Sequence, residues 1–114
     1  MPKEQKVRAV EEFKDKFRRG TIAIGTDFTS LSVPQLNELR RRLRSEDIEY
    51  RVVKNTLAYI AAREVDMDVL IEIIQGPTAL ILGYGDPLRP AKILDEYLKA
   101  TRFPLGIRGA VMDG

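Results

Sequence analysis

Residues 32–57 read SVPQLNELRRRLRSEDIEYRVVKNTL, and three structural elements follow one another in that stretch. Leu36, Leu39 and Leu43 recur at spacings of three and four, which marks one face of a helix. Ser32 precedes that face and Gln35 follows it by three residues, the spacing of a capping box, so a helix is predicted from there to about Ser45. Ile48 to Val53 reads as a strand with β-branched residues at its end. Asn55 is placed to cap another helix, with Leu57, Ile60 and Ala61 as its buried stripe.

The same reading extends in both directions. Upstream, Val7, Val10, Phe13 and Phe17 form one helix face over Lys3 to Arg19, with Pro2 before it and Gly20 at its C′ position. Thr21 to Thr26 is then a short buried strand, and Asp27 to Leu31 a turn. Downstream, Met67 to Ile74 reads as a short helix with Leu70, Ile71 and Ile74 inward, stopped by Gly76-Pro77. Thr78 to Leu82 is an apolar strand. A fifth helix starts at Asp86-Pro87 and carries Ile93, Leu94, Tyr97 and Leu98 on its core side. Ile107 to Met112 is the last strand. The order is α-β-α-β-α-α-β-α-β. The predicted fold class is α/β, with α+β as the alternative: one layered domain over 1–114, a mixed sheet of about four strands, and about five covering helices. Strands alternating with helices imply βαβ crossovers and substantial parallel pairing.

Composition narrows the chemistry. The chain has 114 residues, no Cys and no His. Disulfides, thiolate zinc sites, imidazole ligands and Ser-His or Cys-His nucleophile systems are therefore excluded. No cofactor, metal or catalytic residue is expected, and the balance moves from enzyme to binding or structure. The longest apolar run, around Ala79 to Gly83, is far short of the roughly 20 residues a membrane span needs. With a charged N-terminus that lacks a signal-peptide core, the expectation is a cytoplasmic protein with no membrane partner.

The net charge of +2 conceals an uneven distribution. Residues 1–20 hold seven basic and four acidic groups, residues 31–56 six and four, and residues 57–75 one and four. The densest cluster places Arg40, Arg41 and Arg44 on one helix flank and Arg42 on the other, a set suited to phosphate. Its bland counterpart is a solvated face paired with Glu38, Glu46 and Asp47, which pattern alone favours. A second candidate is Arg51, Lys54 and Asn55, where a strand ends and a helix opens with free N–H groups that attract anions. A plain Asn cap explains that spacing equally well. Lys6 sits at the end of the first helix's apolar seam and reads as a snorkelling lysine. Gly83 to Pro87 lacks the third glycine or Lys-Ser/Thr of a nucleotide loop and reads as a strand-to-helix turn. Glu64, Asp66 and Asp68 resemble no calcium loop and flank the short helix. Tyr50, Tyr59, Tyr84 and Tyr97 form no base-stacking platform, so any nucleic acid would be read by backbone and shape.

Leu36-Asn37-Glu38-Leu39-Arg40, Leu43-Arg44, Glu49 to Leu57 with Ala61 after it, and Gly76-Pro77-Thr78 before an apolar strand together resemble the bacterial ribosomal protein L-ten family. The resemblance covers essentially the whole chain. It implies an α/β domain that binds large-subunit ribosomal RNA at the base of the lateral stalk, near ribosomal protein L-eleven. In that family a C-terminal helix carries the acidic stalk protein, L-seven/L-twelve, which recruits translational GTPases, and some members bind their own messenger RNA. The stalk-dimer helix has no counterpart in this chain, so no binding of L-seven/L-twelve is expected of it. The resemblance also turns Lys6 into an RNA contact, alongside Arg40, Arg41, Arg44, Arg51, Lys54 and Asn55. Many members carry Arg-Gly in the turn before the second helix, where this chain has Thr29-Ser30, which puts a basic contact there in doubt. The remaining alternatives are an assembly factor sharing the domain and a small phosphate-binding α/β enzyme.

Overall fold

The computed structural model describes residues 2–112. Its elements are α1 (Lys3–Arg19), β1 (Ile22–Asp27), α2 (Val33–Ser45), β2 (Glu49–Val52), α3 (Asn55–Glu64), a short 3-10 helix (Asp68–Ile73), β3 (Ala79–Gly83), α4 (Leu88–Thr101) and β4 (Gly106–Met112). The order and number of elements are those the periodicities imply. The predicted fourth helix is wound as a 3-10 helix, with Leu70, Ile73 and Ile74 buried and Ile71 only partly so. The predicted capping box forms: the Gln35 amide donates to Ser32 Oγ (3.3 Å) and the Ser32 amide to Gln35 Oε1 (2.9 Å).

The four strands form one sheet in the order β2-β3-β1-β4. Every ladder is antiparallel, which corrects the expectation of parallel neighbours. The crossover logic holds in part. β1 and β2 run the same way, because each is antiparallel to β3, and α2 connects them. β3 and β4 likewise share a direction and are joined by α4. Each βαβ unit is split by a strand of the other. A helix is about 10 Å across and strands lie about 4.8 Å apart, so a crossover helix spans two strand spacings without strain and leaves room for the inserted strand. Nothing in a β-α-β pattern distinguishes the split form from the closed one.

Alternation along the strands builds two cores. Ala23, Leu80 and Leu82 face α1, α3 and the 3-10 helix, while Ile22, Ile24 and Ile81 face α2 and α4. In the first core Phe13 and Phe17 stack with ring centroids 5.8 Å apart. Two residues predicted inward lie at the margin: Val7 is 54% exposed and Ile60 44%. The inward face of α3 is instead built from Leu57, Ala58, Ala61 and Ala62, and the three alanines let the helix lie close to α1 and the 3-10 helix. Gly25 permits the closest approach. A Cβ there would sit 2.2 Å from the Ile73 carbonyl oxygen, so only glycine lets the 3-10 helix cross β1. Its β4 partner is Gly109, at φ +152°. Gly20 ends α1 in an extended conformation, not the left-handed one a C′ glycine commonly takes.

Candidate nucleic-acid interface

β2 is an edge strand, and its alternation divides its side chains between the two faces of the sheet. Glu49 and Arg51 pair with Leu82 and Leu80 and so lie on the α1 side. Tyr50 pairs with Ile81 and lies on the α2 side. On α2, Arg40 and Arg44 are one turn apart. The Arg40 guanidinium carbon is 5.5 Å from the Tyr50 ring centroid, a cation–π contact that sets its direction. Arg40, Arg44 and Arg51 line one groove along the β2 edge, together with Asp47, Glu49 and Tyr84.

The two walls of this groove differ in what their charges already hold. On the α1 side, Arg51 pairs with Glu12 (2.9 Å) and lies 5.6 Å from the Phe13 ring centroid. Lys16 Nζ donates to Glu49 Oε2 (2.6 Å) and the Tyr84 hydroxyl donates to Glu49 Oε1 (2.7 Å). Burial pushes the Glu49 carboxyl up, but those two hydrogen bonds and the charges of Lys16 and Arg51 outweigh it and hold the group below its ordinary value. The Tyr84 phenol is pushed well up by burial and by its bond to Glu49. On the α2 side the outcome is different. Of the expected partners, Glu46 pairs with Arg42 (3.7 Å) and with Arg89 of α4, whose second nitrogen also donates to the Glu46 carbonyl. Arg40, Arg41 and Arg44 pair with no carboxylate among the described residues. The internally neutralised helix face that pattern alone favours therefore applies to Arg42.

The other sequence candidates disperse. Arg41 is exposed and does not line the groove. Its charge, like those of Glu38 and Arg42, acts on Tyr97 of α4, whose phenol is pushed up mainly by burial. Lys54, not Asn55, occupies the cap position of α3, and its carbonyl accepts from the Leu57 and Ala58 amides. Its side chain makes no cap hydrogen bond and is exposed. Asn55 is the first helical residue, and its Nδ2 donates to the Gly76 carbonyl (2.7 Å), so it anchors the Gly76-Pro77 loop. Arg108 anchors the same loop from β4 through the Pro77 carbonyl (3.0 Å) and pairs with Asp27 (3.2 Å). Lys6 lines a separate, mostly apolar cleft between α1 and α3, with Val7, Leu57 and Ile60.

The turn before α2 is closed locally. Asp27 Oδ1 accepts from both the amide (2.9 Å) and the hydroxyl (2.6 Å) of Thr29, which with Arg108 holds its carboxyl below the usual range. Asp86 accepts from the Leu88 amide (3.0 Å), so the Gly83 to Pro87 turn serves to start α4. Among the described residues there is no group of three acidic side chains placed to hold a metal ion, and no helix is long and apolar enough to cross a membrane. The residues that sequence reasoning missed are Glu12, Lys16 and Tyr84. The Glu12 to Lys16 spacing was visible, but their partners on β2 lie more than thirty residues away.

A family model described as Ribosomal protein L10 matches residues 1–99. The large ribosomal subunit protein uL10 of Acidothermus cellulolyticus is 43% identical over 114 residues, covering 100% of this chain and 65% of the relative. That of Myxococcus xanthus is 40% identical over the same 114 residues and 66% of its own length. That of Caldanaerobacter subterraneus is 46% identical over 98 residues, 85% of this chain and 55% of the relative. The chain spans less than two thirds of the length of the curated relatives it matches.

Proposed function

The chain belongs to the ribosomal protein L10 family, and from that premise we propose that it is a component of the large ribosomal subunit that binds ribosomal RNA through the open arginine wall of α2. The observation that carries this reading is that Arg40, Arg41 and Arg44 have no carboxylate partner among the described residues, although acidic residues flank them in the sequence. Three guanidiniums left unpaired on the exposed side of one helix suit phosphate oxygens. Arg40 and Arg44 meet the RNA in the β2 groove, Arg41 beside it. Lys54, next to the free N–H groups that open α3, adds a further contact. Arg51 and Asn55 hold β2 and the Gly76-Pro77 loop in place, and Lys6 is the most distant contributor.

The family resemblance supports a finer placement at the base of the lateral stalk near L-eleven. There the whole protein would anchor L-seven/L-twelve through its C-terminal helix, in the cytoplasm, with no catalytic step of its own.

The test is a titration of this chain against a stalk-base ribosomal RNA hairpin at several salt concentrations. If about five phosphates are neutralised, log K falls against log salt with a slope of roughly −3.5 to −4.5. A flat response overturns the electrostatic reading.

A further inference from the structure

We infer that the groove along β2 accepts an unpaired nucleotide, its phosphate held by the α2 arginines and its base edge hydrogen-bonded to the outward main chain of Tyr50 and Val52. The inference rests on the RNA-binding reading above and specifies what part of the RNA enters. Val53 donates its amide to the Thr78 carbonyl (3.1 Å) in the ladder to β3, and the register continues through Arg51–Leu80 and Glu49–Leu82. In an antiparallel ladder alternate residues bond the same neighbour. The N–H and C=O of Tyr50 and Val52 therefore point away from the sheet, along the edge where the groove of about 560 Å³ runs. Val52 is 43% exposed, and beyond the strand ladder the main chain of Tyr50 and Val52 carries no hydrogen bond among the described residues.

The floor of the groove and its wall select for different chemistry, and a nucleotide supplies both. The arginines favour an anion. The strand edge offers donors and acceptors in alternation. A phosphate brings acceptors only, so it can answer the amides but is repelled by the carbonyls. A base edge carries donor and acceptor side by side. In an RNA duplex the Watson–Crick edge is engaged with its complement and the major-groove edge lies in a deep, narrow groove that a strand edge does not enter, so the nucleotide must be unpaired, as in a bulge or loop. Arg40 covers the accessible ring of Tyr50, so the base is read by its edge and not by stacking. An acidic peptide adding as a strand would also present both groups, but strand addition draws its affinity from a run of main-chain bonds. β2 has four residues with two facing outward, too few for such a run.

Two fluorescein-labelled RNA hairpins of equal length, one with an internal bulge and one fully paired, test this by anisotropy with the 114-residue chain. The bulged hairpin should bind about tenfold tighter, the worth of one or two added hydrogen bonds. Val52→Pro deletes one outward N–H and no ladder bond. It should weaken bulged-RNA binding roughly three- to tenfold and leave the paired hairpin unaffected, while Val52→Ala, which keeps the N–H, should be silent. In the unsubstituted chain the amide resonances of Tyr50 and Val52 should shift with the bulged hairpin alone, a readout that stands even if Val52→Pro fails to fold. Equal affinity for both hairpins, or unchanged bulged-RNA affinity in a folded Val52→Pro chain, overturns the nucleotide site while leaving the arginine contact intact. Absence of salt-dependent binding to either hairpin overturns the RNA reading itself. A polyglutamate peptide that displaces the bulged hairpin and shifts the same two amides overturns the inference in favour of an acidic strand.

Discussion

The two walls of the β2 groove have similar charged sequences and opposite electrostatic states. On the α1 side, Lys16 and Arg51 reach Glu49 and Glu12, and Tyr84 completes the set. On the α2 side, Arg40 and Arg44 face the groove without an ion-pair partner among the described residues: Glu46 is drawn to Arg42 and Arg89, and Asp47 lines the groove without pairing with either. One wall holds the fold together and the other is left for a partner. A basic residue's role here is decided by whether an acid lies within reach in space, which its neighbours in sequence do not reveal.

The largest expected effect tests the open wall. A chain with Arg40→Glu and Arg44→Glu should lose about a hundredfold or more in RNA affinity at moderate salt. Its thermal unfolding midpoint should stay near the parent's, since exposed substitutions usually change stability by less than about 0.5 kcal/mol. If affinity survives in the folded variant, the comparison is broken. The closed wall should respond in the opposite sense. Glu49→Ala leaves the Tyr84 hydroxyl without its acceptor and Lys16 with only its longer pair to Glu12 (3.8 Å), and should cost about 2 kcal/mol in urea unfolding, with RNA affinity changed only a few-fold. A smaller loss, about 1 kcal/mol, is expected of Arg51→Ala, which removes a half-exposed ion pair and the contact with Phe13. If Arg51→Ala instead lowers the salt slope by about one, Arg51 belongs to the RNA-binding set.

Acid provides the smallest and most selective probe. The folded-state pKa of Glu49 lies below its ordinary 4.5, so its contribution to stability is fully present above that value. It is lost as pH falls through the lower folded-state value. Unfolding free energy measured on the acid side of pH 4.5 should fall less steeply in Glu49→Ala than in the parent.

Local features of this architecture were legible because their causes are local. The Ser32–Gln35 box is complete within a few residues and occurs as read; of the Val7–Val10–Phe13–Phe17 stripe all but Val7 is buried. The pairing direction was not legible, since a β-α-β run has the same pattern whether or not a third strand enters between its ends. The candidate site was half legible. Arginine density on α2 was visible, but the partition between Arg40 and Arg42 depends on α4 delivering Arg89 to Glu46. Asn55 looked like a cap because sequence cannot reveal that the Gly76 carbonyl waits beside it.

The interleaving of the two βαβ units bears on how the chain reaches this state. β1 and β2 share no hydrogen bond, and neither do β3 and β4. A nascent chain ending before residue 79 contains two strands, three α-helices and the 3-10 helix but no ladder at all. Every rung of the sheet joins residues from opposite halves of the sequence, with partners such as Ile22 and Met112 at its two ends. The domain therefore has no half that can fold first and wait. It should assemble in one cooperative step after β3 emerges, with the entropy of long loop closure setting its rate.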